Sequence, residues 1–281
     1  MKDYFAQKLF VFYVFLLMLS ACHNQQNSQT TVADSNSRAT THNTTDTPMP
    51  CNIGEQPLFT NTDSLLVYVD SLFWLIDNAK EIGNFDSVGC LGDAVISLFQ
   101  KNKNLMMHVS DKWNDAPLSL SKSSDGNFCL ISWNTQMGGS MIDYVTMAFY
   151  KTSDSIKVIY LNAPEGSPYY DTIFTIKDTD NKSIYMATGF SKLSGNEVGQ
   201  GLRAFSIEKD SLVSPNIFAD TSQIFVVFNK RKLAEDDNLE IPSIGITKFC
   251  DTISVPKPTE HEGFANQWQQ LIFNGKKYVK K

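Results

Sequence analysis

The first clear pattern in the chain is an apolar repeat at helical spacing. Five residues share it: Leu65, Val69, Leu72, Ile76 and Ala79. Apolar residues three and four positions apart fall on one face of a helix. Asp63 precedes them, and its carboxylate suits an N-cap. The pattern predicts a helix of about 16 residues that starts at Asp63, in a unit that Gly83 ends.

A second helix is predicted directly after this unit. Val95, Leu98 and Phe99 share one helical face, and the segment around them has no proline. We expect this helix to run from about Gly92 to Lys103. Two helices would therefore open the folded part of the chain.

From Leu105 onward, short runs rich in Val, Ile, Tyr, Phe and Thr alternate with polar turns, which is the pattern of strands. The predicted strands are 127–133, 142–150, 156–161, 172–176, 183–188, 202–207, 223–228, 269–273 and 277–279. Asp125-Gly126 and Asn274-Gly275 are hairpin signals. Short connections of this kind predict that neighbouring strands pair antiparallel.

These elements predict an α+β fold, mainly β: two N-terminal helices followed by an antiparallel β-meander that curls or packs on itself. Alternation is only partial, because 225–228 are all apolar whereas 173–177 alternate. Both faces of the sheet are therefore expected to be covered in places. A small open barrel or propeller is an alternative, although no repeat of fixed period favours a propeller.

The N-terminus has the three zones of a secretory signal peptide. Lys2 and Lys8 precede an apolar run of eleven residues, 9–19, and Ser20 and Ala21 follow it. The run is too short to span a bilayer as a permanent helix. We expect residues 1–21 to be a signal peptide and to take no part in the fold.

Leu19-Ser20-Ala21-Cys22 resembles the lipobox of bacterial lipoproteins. The resemblance implies that Cys22 is lipidated and becomes the first residue of the mature protein, with the membrane as its partner. Acyl chains contribute about 0.8 kcal/mol per buried methylene, so several of them anchor a domain firmly. By resemblance to lipoprotein sorting rules, the lack of an aspartate after Cys22 implies the outer membrane, and the lack of an early acidic cluster implies the periplasmic side.

The rest of the chain more broadly resembles uncharacterised lipoproteins of the Bacteroidota. The likeness is carried by 123–128 with Trp133, by Gly138-Gly139, by 202–212 and by the hairpin 273–279. It implies no known activity.

A polar segment separates Cys22 from the predicted domain. Of the 28 residues 23–50, 17 are Ser, Thr, Asn or Gln, and none is aromatic. Such a segment buries too little apolar surface to offset its chain entropy. We therefore expect 22–50 to be the lipidated cysteine and a flexible tether reaching roughly 30 Å, and 51–281 to be a single β-rich domain.

Composition limits the classes of function. The chain is 42% hydrophobic, which is enough for a substantial core. Its 24 basic and 30 acidic side chains give a net charge of −6. A nucleic-acid partner is not expected, because the basic footprint that such binding needs is absent.

Four cysteines remain after Cys22: Cys51, Cys90, Cys129 and Cys250. An even number in an oxidising compartment favours disulfides, and three pairings are open. Buried free thiols are the alternative. The wide spacings do not indicate a zinc site.

Candidate chemistry is sparse. His108 and His261 are the only histidines of the predicted domain, and neither has a partner at ligand spacing, so no metal or cofactor is expected. A glycine-containing segment, 189–201, is predicted to be a loop between strands.

Five aromatic residues are candidates for a ligand platform: Trp113, Trp133, Trp268, Tyr169 and Tyr170. Tyr169-Tyr170 are favoured because they sit beside Pro164, Gly166 and Pro168 in a predicted loop.

These observations favour a membrane-anchored envelope lipoprotein with a non-enzymatic domain that binds an envelope protein or a glycan. The alternative is an envelope hydrolase whose site is assembled only in the fold.

Overall fold

The computed structural model describes residues 54–109, 113, 117–161, 168–235 and 240–281. Within these ranges the chain forms four helices and thirteen strands in antiparallel sheets, with more strand than helix. The predicted mainly-β α+β class is therefore confirmed. The predicted signal peptide, Cys22, the tether and Cys51 lie outside the described residues.

The first helix, α1, spans Thr62–Glu81 and buries the face that the apolar repeat predicts. Its N-cap is Asn61 rather than Asp63, because the Asn61 side chain accepts a hydrogen bond from the Ser64 amide at 2.8 Å. Asp63 lies in the first turn, where a carboxylate favours the positive end of the helix dipole. Gly83, at φ +72°, ends the unit as predicted.

The second helix, α2, spans Phe85–Lys101 and begins seven residues before the predicted start at Gly92. Its N-cap is Asn84, whose side chain accepts from the Ser87 amide at 3.1 Å. Gly89 and Gly92 are poor helix formers, so helix propensity does not predict the first two turns of α2. A four-residue helix, α3 (Lys103–Met106), follows.

Thirteen strands form three antiparallel sheets in chain order. Sheet 1 contains β1 (Leu118–Lys122), β2 (Phe128–Asn134), β3 (Tyr144–Lys151) and β4 (Ile156–Tyr160). Sheet 2 contains β5 (Tyr169–Lys177), β6 (Ser183–Lys192), β7 (Glu197–Glu208), β8 (Ser211–Val213) and β9 (Gln223–Asn229), which also pairs with β7. Helix α4 (Lys230–Glu235) leads on to sheet 3, which contains β10 (Gly245–Ile246), β11 (Thr252–Pro258), β12 (Phe264–Phe273) and β13 (Tyr278–Lys280).

The helices and sheets pack as successive layers. One apolar cluster lies between the helices and sheet 1, a second between sheets 1 and 2, and a third between sheets 2 and 3. Along β2, Cys129, Ile131 and Trp133 face the helices, whereas Phe128 and Leu130 face sheet 2. Strands of inner layers are buried on both faces, so their sequences read as continuous apolar runs.

The predicted loop at 189–201 is wrong. Strands β6 and β7 run through most of it, and only 193–196 connect them. The Phe225 ring covers Gly199, where an added Cβ would lie 2.3 Å from the ring Cζ. Glycine weakens a strand pattern, but an aromatic ring on the neighbouring strand supplies the packing that glycine lacks.

Candidate functional site

The structure separates the aromatic candidates by exposure. Trp113 and Trp133 are 2% and 1% exposed and belong to the cluster between the helices and sheet 1. Trp268, on β12, is 41% exposed. Of the three tryptophans considered as ligand platforms, only Trp268 offers its ring to solvent.

The prediction that Tyr169 and Tyr170 lie in a loop is wrong, because both belong to β5. Tyr170 is buried between sheets 1 and 2, with its ring 6.3 Å from that of Phe205. Burial raises its pKa, against the opposing effect of nearby Arg203. Tyr169 packs on Tyr144 with ring centroids 5.4 Å apart. As successive strand residues the two rings face opposite sides, so they form no common platform.

Trp268 lies on the side of sheet 3 that faces away from sheet 2. Residues directly paired across antiparallel strands share a face, and the register gives eight such positions. They form three rows: Pro256 with Trp268; Gly245 with Ser254 and Gln270; and Thr252 with Ile272 and Val279. We call these eight residues the outer face. Among the described residues, Trp268, Ile272 and Val279 belong to none of the apolar clusters.

The Trp268 ring is held in place by a chain of aromatic contacts. Its centroid lies 5.6 Å from that of Phe264 in an edge-to-face contact, and Phe264 contacts Phe228 in the same manner at 6.4 Å. Phe228 is fully buried. A chain of three rings therefore fixes an exposed indole to the core, which lowers the entropy cost of using it as a binding surface.

Hydrogen-bonding groups lie next to this ring on the outer face. The Gln270 amide nitrogen donates to the Ser254 hydroxyl at 2.9 Å, which orients the amide. An amide carries two N–H donors and two acceptor positions, so Gln270 has capacity to bond a ligand as well. Gly245 completes this row and places no side chain over it. All eight residues are uncharged, and the outer face therefore suits a neutral polar ligand.

Asp125 accepts as many hydrogen bonds as a carboxylate in a functional site often does, but its role is structural. Asp125 accepts from Ser123 and Asn127 with one oxygen and from Ser183 and Tyr185 with the other, at 2.7 to 3.1 Å. Burial raises the pKa of Asp125, but these hydrogen bonds outweigh it and lower the pKa overall. Burial raises the pKa of Tyr185 to about 12. Because protein donors occupy the carboxylate, Asp125 joins the β1–β2 turn to sheet 2.

The histidines are not brought together with catalytic partners. His108 and His261 are both exposed, the first after α3 and the second between β11 and β12. In the described ranges, no three His, Cys, Asp or Glu residues cluster in a way that could hold a metal ion. Within the same ranges, no helix is long and apolar enough to cross a membrane.

Of the four disulfide candidates, Cys129 and Cys250 are free, buried thiols, which is the alternative that the sequence left open. Burial raises the pKa of Cys129 to about 12, so this thiol stays protonated at neutral pH. Burial and the neighbouring Asp251 also raise the pKa of Cys250. Cys90 lies on α2, and Cys51 lies outside the described residues.

Comparison with known proteins gives no further guide. No family model, curated protein or solved structure matches this chain.

Proposed function

We propose that this chain is a lipid-anchored envelope protein whose outer face binds a neutral glycan. The observation that carries the proposal is the exposed Trp268 ring, fixed to the core and flanked by uncharged hydrogen-bonding side chains on one sheet face.

The Trp268 ring and the polar side chains beside it have different roles in such binding. A rigid aromatic ring supplies a large apolar contact area for the carbon face of a sugar at low entropy cost. Hydrogen-bond donors and acceptors for sugar hydroxyls are offered by Ser254, Gln270 and Thr252. A protein partner with an apolar interface core would leave these three side chains without hydrogen-bond partners. The absence of charge from the eight residues favours a neutral sugar over an acidic one.

The lipobox at Cys22 and the polar tether 23–50 support an envelope location, on the periplasmic side of the outer membrane. Replacing Cys22 with alanine is expected to move the protein from the membrane fraction to the soluble fraction after cell lysis, because the acyl chains supply the anchor. A Cys129→Ala variant is the control, since that thiol is buried in the domain. Retention of the Cys22→Ala variant on the membrane would contradict the lipid anchor.

A disulfide between Cys51 and Cys90 is the pairing that remains among the four candidates, because Cys129 and Cys250 are free. It would hold the end of the tether against α2. Such a disulfide would stabilise the folded state, because it limits the number of conformations open to the unfolded chain.

A protein partner is the second candidate, favoured by a separate group of exposed apolar residues. Ile82 and Phe85 flank the α1–α2 turn, and Met137 and Met141 lie between β2 and β3. Lys80 donates to Gln136 at 2.5 Å, which brings the end of α1 to this second segment. A protein bound there would contact neither Trp268 nor its neighbours on the outer face.

Glycan binding is tested by replacing Trp268 with alanine. The full chain is titrated with neutral oligosaccharides and, as an acidic comparison, with soluble glycan fragments of peptidoglycan, whose muramic acid units carry carboxylates. Affinity is followed by calorimetry. We expect the variant to lose tenfold or more in affinity for the glycan that the parent binds, because a central tryptophan is a typical binding hot spot. Trp74→Ala on α1, a tryptophan that is 55% exposed, is the matched control and should keep parental affinity.

The proposal fails if the parent chain binds none of the neutral oligosaccharides, or if the Trp74 and Trp268 variants lose affinity equally. Thermal unfolding of both free variants is measured alongside, so that loss of fold is separated from loss of contact. Capture of a protein partner that is insensitive to Trp268→Ala would favour the second candidate instead.

A further inference from the structure

An open cleft of about 460 Å³ lies at the hairpin end of sheet 3, away from Trp268. Its lining residues are Thr179, Asn216, Asn274, Lys276 and Lys277. Asn274 lies six residue steps beyond Trp268, which is roughly 20 Å along extended chain. The cleft is therefore separate from the Trp268 end of the outer face and does not depend on the proposed glycan site.

Two turns lock together to form one wall of this cleft. The Thr179 amide, in the β5–β6 turn, donates to the Gly275 carbonyl in the β12–β13 turn at 2.8 Å. Gly275 has φ +93°, and a Cβ there would lie 2.7 Å from the Thr179 methyl group. Both the backbone conformation and the close approach therefore require glycine.

Asn274 fixes the backbone that carries the two lysines. Its side-chain oxygen accepts hydrogen bonds from the Lys276 and Lys277 amides at 3.0 and 2.9 Å. On the far side of the turn, the Tyr278 amide donates to the Ile217 carbonyl at 2.6 Å, which places Asn216 beside the hairpin. The lysine stems thus leave a rigid turn, and only their side-chain torsions are free.

The cleft is a basic site on an acidic protein. Its five lining residues include two lysines and no carboxylate, whereas the whole chain has a net charge of −6. Lys277 forms an ion pair with Asp220 at 3.5 Å, and the Asp220 side chain is 96% exposed. An exposed pair of this kind contributes little, so an anion can replace Asp220 as the partner of Lys277.

We propose that this cleft binds a phosphate group. Two ammonium groups supply point charges, and Thr179, Asn216 and Asn274 supply hydroxyl and amide groups beside them. Lysine binds phosphate as a point charge, whereas recognition of planar carboxylates favours the two-pronged arginine, which the cleft lacks. The phosphate is either free or part of a lipid headgroup, since both present the same charged oxygens.

Titration of the full chain with inorganic phosphate and, separately, with glycerol 3-phosphate tests the proposal. We expect saturable binding of at least one of them, detected by calorimetry, that weakens as salt is added. A Lys276→Gln/Lys277→Gln variant is expected to lose tenfold or more in affinity. The matched control is Lys248→Gln/Lys257→Gln, which removes two exposed lysines outside the cleft, one from the β10–β11 turn and one from β11.

Tighter binding of glycerol 3-phosphate than of inorganic phosphate would identify a headgroup as the ligand, and the reverse would identify free phosphate. The proposal is overturned if neither compound binds saturably, or if both double variants lose affinity equally. Thermal unfolding of the free variants is measured to show that each keeps its fold. A Trp268→Ala chain should bind phosphate normally, so failure of the glycan proposal would leave this result unaffected.

Discussion

Replacing Trp133 with alanine is expected to lower the free energy of unfolding by about 3 to 5 kcal/mol. The Trp133 ring is 1% exposed and lies where sheet 1 meets both long helices. Its centroid is 5.7 Å from that of Phe99 on α2 and 6.5 Å from that of Phe73 on α1. Alanine would leave a cavity bounded by three elements that cannot all move inward.

Urea denaturation measures this effect, with the slope of the transition showing whether two-state unfolding is kept. Trp268→Ala is the control, because its ring is largely outside the core; we expect a loss below that of Trp133→Ala by 2 kcal/mol or more. Equal losses for the two variants would contradict the packing of the helices and sheets in successive layers.

Replacing Thr146 with valine is expected to cost about 2 kcal/mol, although the two side chains have nearly the same shape. The Thr146 hydroxyl donates to the Pro168 carbonyl at 3.1 Å, so its single proton is used there. Ser132, 2.9 Å away, must therefore donate to Thr146. Ser132 in turn accepts from the Tyr170 amide at 3.1 Å. This buried chain of hydrogen bonds joins sheet 1 to the start of β5, and valine would leave two of its groups unpaired.

Chemical denaturation of Thr146→Val, Ser132→Ala and the double variant checks this prediction. The double-mutant cycle should give a coupling energy above about 0.5 kcal/mol, because the two hydroxyls contact each other. Thr172→Val, at an exposed position of β5, is the control and should change stability by less than about 0.5 kcal/mol. Additive effects of the two core replacements would show that the hydroxyls do not act as one network.

Local signals in the sequence predict local structure well. The apolar repeat predicts the buried face of α1, and Asp125-Gly126 and Asn274-Gly275 predict two hairpins that the structure contains. Each of these features depends on residues a few positions apart. The antiparallel meander follows from them because short connections leave neighbouring strands little choice of partner.

The sequence does not predict β11 or the first half of β12, because their local residue patterns argue against a strand. Strand β11 contains Pro256 and Pro258, which argue against a strand, but β10 pairs only with Ser254 and Ile253. The prolines therefore remove no hydrogen bond to β10. Strand β12 begins at Phe264 rather than at Gln269, because polar Asn266 and Gln267 interrupt the apolar pattern of its first half and Asn266 has a positive φ of 49°.

The late predicted start of β12 also prevents the sequence from predicting the outer face as a candidate site. A strand predicted from Gln269 leaves Trp268 just outside it, so nothing in the sequence places the indole in line with Ser254 and Gln270. Residues 252–256 pair with 268–272 without a break, and the bulge between Pro256 and Pro258 lies just beyond Trp268. Burial of Tyr170 depends on sheet 2 packing on sheet 1, a long-range contact that the local loop signal at Pro168 does not contain.

Hydrogen–deuterium exchange of the full chain, with and without a bound neutral oligosaccharide, tests glycan binding at the outer face most directly. Exchange of backbone amides reports local opening residue by residue. Binding at the outer face predicts slower exchange in β11 and in β12 around Trp268, with the helices unchanged. Protection confined to α1, α2 and the β2–β3 connection would contradict it and place the binding surface at the opposite end of the layers.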